Sequence, residues 1–137
     1  MTARALPSFA DAPFHAPAEI VLDLPVPPGT NNLFANSARG GRHKSERYRS
    51  WIDHAGWELR AARQKPITGR VAVFMTAPEK ASRDLDGYWK PILDLLVAHR
   101  LIEGDRCKFV RELHAGWWST VDLVHVVVRP LSTEESA

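Results

Sequence analysis

The stretch Gly69-Arg70-Val71-Ala72-Val73-Phe74-Met75-Thr76 decides the fold, because it is apolar on both of its alternating faces. A strand with this pattern is typical of the interior of a sheet that is covered on both sides. A chain of 137 residues, 45% of them hydrophobic, is long enough to bury such a core in one domain. The sequence therefore predicts one domain built around a strand at 69–76.

A helix is predicted on each side of this strand. Before it, apolar residues recur at three- and four-residue spacing from Tyr48 to Ala62, and Ser45 is placed to cap the N-terminus. After it, a second helix is expected from about Tyr88 to Ala98, with Pro91 in its first turn. A first strand is expected at 19–24.

The chain ends in two alternating, β-rich runs, 108–117 and 121–129, which only a short turn separates. That spacing predicts an antiparallel hairpin. The expected fold is therefore α+β, with a small mixed β-sheet of about four strands and two main helices, ending in an antiparallel hairpin.

The remaining segments are rich in proline, glycine or polar residues. Residues 1–17 are predicted to be a flexible N-terminal arm, 18–131 the domain and 132–137 a polar tail. The proline-rich stretch 25–32 is expected to be a rigid, extended loop, and 36–44, with two adjacent glycines, a mobile surface loop.

Composition excludes several classes of protein. The net charge of +2 is too small to identify a nucleic-acid-binding protein by itself. The single cysteine, Cys107, excludes an intramolecular disulfide and is expected to be a small buried apolar residue. No apolar run is long enough to cross a bilayer, and no signal peptide is seen, so we expect a soluble, cytoplasmic protein without membrane contacts.

Acidic residues and one lysine are concentrated around the start of the second predicted helix. Asp84, Asp86, Lys90 and Asp94 lie within eleven positions, and Asp105 follows. Such a grouping suits a hard divalent cation next to a phosphate. It also admits a purely structural interpretation, in which Asp86 caps the helix, the Lys90 side chain pairs with acids four residues away, and Asp105 is a turn residue.

Three motifs distinguish these interpretations, and together they cover most of residues 19–129. They are Pro25-Val26-Pro27-Pro28-Gly29-Thr30-Asn31-Asn32, then Asp84-Leu85-Asp86-Gly87-Tyr88-Trp89-Lys90-Pro91-Ile92-Leu93-Asp94, then Gly104-Asp105 before a strand. In this order they resemble the RusA family of crossover junction endodeoxyribonucleases, the Holliday junction resolvases of prophages and bacteria. The resemblance implies a RusA-like fold.

The resemblance also implies a site. Asp84, Asp86, Lys90 and Asp105 would be catalytic, and the three aspartates would bind Mg²⁺, with Mn²⁺ as the alternative ion. Asp94 would have a supporting role. Asp105 reaches the other acids only if the loop 99–106 folds back along the second helix, whose eleven or so residues span roughly 16 Å.

Two positions depart from the family pattern. Gly87 stands where the family has Asn, and Gly104 where it has a first acid. Loss of a residue that supports a metal ligand commonly lowers activity about 10- to 100-fold.

The expected partner is branched DNA, bound by a homodimer whose twofold symmetry matches that of a junction. Basic side chains are concentrated in residues 39–49, which favours contacts with the phosphates of DNA. The predicted DNA-binding residues are Asn32, Arg39, Arg42, Lys44, Arg47 and Arg83. Two alternatives remain: a non-catalytic branched-DNA-binding protein of the same fold, and a metal-dependent nuclease with another DNA substrate.

Overall fold

Strand β4 (Val71–Pro78) is the centre of the fold. The computed structural model describes residues 18–36, 38, 40–79, 85–118 and 122–131. All of β4 is buried, as the apolar stretch predicts. It begins two residues later than expected because Gly69, with a φ of 83°, forms a turn in which its N–H donates to the Glu103 carboxylate.

Six strands and two helices form within the described residues. In chain order they are β1 (Ile20–Leu24), β2 (Phe34–Asn36), β3 (Arg42–Lys44), α1 (Glu46–Ala62), β4 (Val71–Pro78), α2 (Trp89–Ala98), β5 (Val110–Trp118) and β6 (Val124–Pro130). Single 3₁₀ turns occur at Thr30–Asn32 and Leu85–Tyr88.

The main sheet has four strands in the order β1-β6-β4-β5 and is mixed. Strand β4 runs antiparallel to β6 and parallel to β5. Parallel neighbours need a crossover connection, and α2 lies in the segment that joins β4 to β5. The predicted α+β class and mixed four-stranded sheet are confirmed.

The predicted terminal hairpin is wrong, because β5 and β6 are not neighbours and β4 lies between them. The fully buried β4 takes the central position, whereas β5, with Arg111 and Glu112 exposed, takes an edge. A short connection does not require a hairpin. Five extended residues reach about 17 Å, which exceeds the roughly 10 Å that separate strands on either side of a third.

Both helices pack on one face of the sheet. Buried side chains of α1, including Tyr48 and Trp51, and of α2, including Ile92 and Leu96, join the core that β4 supplies through alternate residues. The predicted N-cap is confirmed, because the Tyr48 N–H donates to Ser45 Oγ.

The other face of the sheet is covered differently. Phe74 of β4 lies there, with the His114 ring stacked on it at 4.6 Å and the Arg129 guanidinium 4.9 Å from its centroid. Neither described helix packs on this face. The apolar side chains there are covered partly by the neighbouring side chains of His114 and Arg129.

Two local predictions are wrong. The segment 36–44 is not a loop throughout, because β2 and β3 pair as a short antiparallel hairpin in which Gly40 and Gly41 adopt positive φ angles. Cys107 is exposed instead of buried, because it lies in the turn before β5.

Several predicted features lie outside the described residues: the arm at 1–17, the tail at 132–137 and the side chains of Arg39, Arg83 and Asp84. Among the helices in the described part of the chain, none is long and apolar enough to span a bilayer.

Candidate active site

The 3₁₀ turn Leu85–Tyr88 leads into α2 and presents Asp86. Tyr88 is fully buried, which anchors the turn, while Asp86 is exposed. The N-cap of α2 is Tyr88, and no side chain caps it. The structural interpretation of Asp86 as the cap of this helix is therefore wrong. In the described part of the chain, the Asp86 carboxylate has neither an ion pair nor a hydrogen bond.

Lys90 and Asp94, one turn apart on α2, form an ion pair with Nζ and Oδ2 3.2 Å apart. This confirms the structural interpretation for that pair. An exposed pair of this kind contributes about 0–1 kcal/mol to stability. The Lys90 ammonium also lies 5.9 Å from the centroid of the Phe34 ring, so α2 faces the hairpin at this point.

The loop after α2 folds back against the helix and against the segment before β4. The Leu101 N–H donates to the Leu96 carbonyl at 2.9 Å, and the Leu101 carbonyl accepts from the Ile67 N–H at 2.9 Å. Leu101 and Ile102 are buried. These contacts return the chain along α2 and carry Asp105 with it.

Gly104 has a packing role that the sequence did not reveal. A Cβ at this position would lie 2.9 Å from Cδ2 of Phe109, closer than side chains approach each other. An acid in place of Gly104 therefore requires Phe109 to move. The acid that the RusA pattern has at this position would therefore meet the Phe109 ring.

Asp94 and Asp105 meet at a recess between α1, α2 and the hairpin. Its volume is about 510 Å³, and Lys44 of β3 lines it together with both acids. Its remaining lining is Tyr48, Ile52, Pro91, Leu95, Val97 and Ala98. The structure thus places Asp105 in the lining of the same recess as Asp94, a lining that does not include Asp86.

The predicted metal set of Asp84, Asp86 and Asp105 stays a prediction. Among the residues that the structure describes, no three His, Cys, Asp or Glu side chains are grouped to hold a metal ion. Asp84, which would complete the set, lies outside those residues. Asp105 is exposed and, like Asp86, has no ion-pair partner in the described segments.

The β2–β3 hairpin and the first turn of α1 carry the predicted basic surface. Arg42, Lys44 and Arg47 are exposed, and the Arg42 guanidinium lies 5.0 Å from the Phe34 centroid. Because Lys90 approaches the same ring, Phe34 has basic groups from the hairpin and from α2 around it. The predicted basic surface and the predicted catalytic lysine are therefore adjacent.

The proline-rich loop holds this hairpin to α1. Ser45 Oγ donates to the Asn32 carbonyl, and the Trp51 indole N–H donates to the Pro25 carbonyl at 2.8 Å. The Asn32 backbone closes a turn onto Gly29, while its side chain is exposed. Asn32 therefore has a structural role through its backbone and an exposed side chain.

Tyr48 is a site residue that sequence reasoning assigned only to the core. Its side chain is 1% exposed yet lines the recess. Burial, and secondly the negative charge of Asp94, raises the pKa of the Tyr48 hydroxyl, so the group stays protonated. A tyrosine at the only polar position of an otherwise apolar helix stripe was the available signal.

A search against models of protein families finds no match to this chain, and a search of curated proteins finds none either.

Proposed function

We propose that this chain is a Mg²⁺-dependent endonuclease that resolves four-way DNA junctions in recombination and repair. The supporting observation is that a basic and an acidic side chain line one recess: Lys44, predicted to bind DNA, and Asp105, predicted to bind the metal ion. The three motifs that resemble the RusA family point to the same chemistry.

The residues present suit Mg²⁺. This ion takes one or two protein carboxylates and keeps waters and phosphate oxygens as its other ligands. Asp86 and Asp105 are exposed carboxylates without ion-pair partners in the described part of the chain, and with Asp84 they would hold the ion. When bound, Mg²⁺ or Mn²⁺ acidifies an attacking water and neutralises charge on the phosphate.

Lys90 is the cation that would stabilise charge developing on the phosphodiester. Its ion pair with Asp94 restricts where the ammonium points, so Asp94 acts as a positioning residue. A preorganised cation that meets charge arising in the transition state is typically worth about 10²- to 10³-fold in rate.

The hairpin would hold the DNA backbone. Arg42 and Lys44 of the hairpin and Arg47 at the start of α1 are exposed, and phosphate contacts of this kind supply affinity without reading sequence. Asn32, Arg39 and Arg83 extend this proposed surface. Recognition of shape by backbone contacts suits an enzyme for branched DNA.

We further propose a homodimer acting in the cytoplasm. A junction has two equivalent strands to cut, and a twofold dimer presents one active site to each. Paired nicks then restore two duplexes.

A non-catalytic branched-DNA-binding protein is the second candidate. One observation favours it: Phe109 occupies the space that an acid at position 104 needs.

One assay distinguishes the candidates. Labelled four-way junction and linear duplex are incubated with the protein, with and without Mg²⁺, and Asp84→Asn serves as the inactive control. We expect cutting of the junction only, only with Mg²⁺, and not by the variant. Binding without cutting supports the second candidate, and equal cutting of both substrates supports a nuclease for another DNA structure.

A further inference from the structure

The recess between α1, α2 and the hairpin is larger than the attack of water on a phosphate requires. Its volume of about 510 Å³ lies within the usual range for sites that enclose an organic ligand. Coordination of an ion and a phosphate takes place at exposed carboxylates and needs no enclosed space. The recess therefore has room for a ligand group that takes no part in the proposed cleavage.

The floor of the recess is apolar. Ile52 of α1 and Pro91 and Leu95 of α2 line it, and Leu95 is 2% exposed. Apolar walls on two helices form a slot suited to a flat or apolar group. An ionic group placed there would lose its hydration without compensation.

A hydrogen-bond donor and an acceptor face this slot. The Tyr48 side chain lines the recess, and its hydroxyl makes no hydrogen bond within the described residues. That hydroxyl is not among the polar atoms that are fully shielded from solvent, so a ligand in the recess can reach it. Asp94 lines the same slot, and its second carboxylate oxygen remains an acceptor beside the bond to Lys90.

The lining of the recess suits a neutral group that is attached to an anion. Asp94, Asp105 and Lys44 all line the recess and all keep solvent exposure, so its floor carries no charge and Lys44 is the lining group that attracts an anion. A nucleotide within a DNA strand has this distribution, because its base is neutral and its phosphate is charged.

We propose that the recess binds a nucleobase that has left the base stack, while the adjoining phosphate lies against Lys44. This inference rests on the proposed function, because it takes DNA as the ligand. Bases inside a duplex are stacked and do not reach such a slot, whereas bases of single-stranded DNA do, and a base at a branch point, where stacking is interrupted, is less costly to extrude. Selectivity for branched DNA then has a structural source in the monomer.

The test measures binding and does not need cleavage. Fluorescence anisotropy with Ca²⁺ in place of Mg²⁺ compares a short single-stranded oligonucleotide with its abasic counterpart of equal charge. We expect the base-containing strand to bind at least about 5-fold more tightly, the lower end of what one stacked base contributes. Equal affinity for the two strands would overturn the proposal.

Variants locate the effect in the recess. Ile52→Trp fills the slot and is expected to remove the preference for the base-containing strand without weakening binding of the abasic strand. Ala61→Trp, at an exposed position of the same helix, is the matched control and should keep the preference. Tyr48→Phe keeps the ring and its packing, and should reduce the preference about 2- to 10-fold, the usual contribution of one hydrogen bond.

These outcomes are independent of the nuclease assay. A base preference without cleavage in Mg²⁺ would refute the proposed enzyme and keep the recess as a DNA-binding site. Cleavage of junctions without any base preference would refute the recess proposal alone. A preference that persists in Ile52→Trp, with the variant folded by circular dichroism, would place the base elsewhere.

Discussion

Acidic side chains have pairing partners in one region of this molecule and lack them in another. On the sheet face away from the helices, acids and bases are paired: His125 Nδ1 lies 2.8 Å from Asp23 Oδ1, and His114 Nε2 lies 2.8 Å from Glu112 Oε1. Around the start of α2, Asp86 and Asp105 have no such partners within the described residues.

This difference shows which carboxylates remain available to a ligand. A paired surface charge stabilises the fold only slightly, yet it is satisfied and has no need of a ligand. Carboxylates kept apart from nearby bases retain their capacity for a cation. On the hairpin a basic side chain is likewise unpaired. Lys44 lines a recess with Asp94 and Asp105, yet it forms no ion pair in the described segments.

The largest expected effect comes from removing the cation of α2. Lys90→Met should lower the rate constant for junction cleavage by about 100-fold or more, because a positioned cation stabilises transition-state charge. The free energy of unfolding should change by less than about 1 kcal/mol, since the ion pair with Asp94 is exposed. Single-turnover kinetics and urea unfolding measure both, with Lys65→Met as the control at an exposed lysine elsewhere.

The basic hairpin should control affinity. The double variant Arg42→Gln, Lys44→Gln removes two proposed phosphate contacts. Because each contact releases counterions, the slope of log K against log salt concentration should become shallower by about 2. Anisotropy titrations of a four-way junction over a salt series measure this slope. An unchanged slope would remove the hairpin from the DNA interface.

An acid at position 104 should lower the free energy of unfolding. Gly104→Asp places a Cβ 2.9 Å from the Phe109 ring, and overpacking of this kind costs about 1–3 kcal/mol of stability. Adding Phe109→Leu should recover much of this loss. A double-mutant cycle in urea measures the coupling, and simple additivity would show that the ring is not the obstacle.

The smallest effect is expected on the paired sheet face. Asp23→Asn breaks the pair with His125, and the aspartate side chain is 58% exposed. The loss of stability should therefore stay below about 1 kcal/mol. Thermal unfolding checks this, and a loss of several kcal/mol would show that the two surfaces do not differ in the way described.

Much of the fold follows from local patterns. The all-apolar stretch ending at Thr76 predicts a central strand, and Ser45 predicts where α1 begins, because burial and capping act over short sequence distances. The order of β5 and β6 in the sheet did not follow, since strand pairing depends on which strand is most completely buried and not on the length of a turn.

The site was only partly predictable. Motifs predict Asp86, Lys90 and Asp105 as site residues, but they do not show that Asp105 and Asp94 line the same recess. That proximity depends on backbone hydrogen bonds of Leu101 with α2 and Ile67. The place of Tyr48 in the recess also depends on the packing of α1 against α2, which no spacing along the chain encodes.

The central claim is that the unpaired carboxylates near α2 carry metal-dependent DNA cleavage. The most direct measurement compares the rate of four-way junction cleavage in Mg²⁺ for the unmodified chain, Asp86→Asn and Asp23→Asn. The account predicts a loss of about 100-fold or more for Asp86→Asn, with junction binding kept, and a rate within about twofold of normal for Asp23→Asn. A normal rate in Asp86→Asn, or equal losses in both variants, would contradict it.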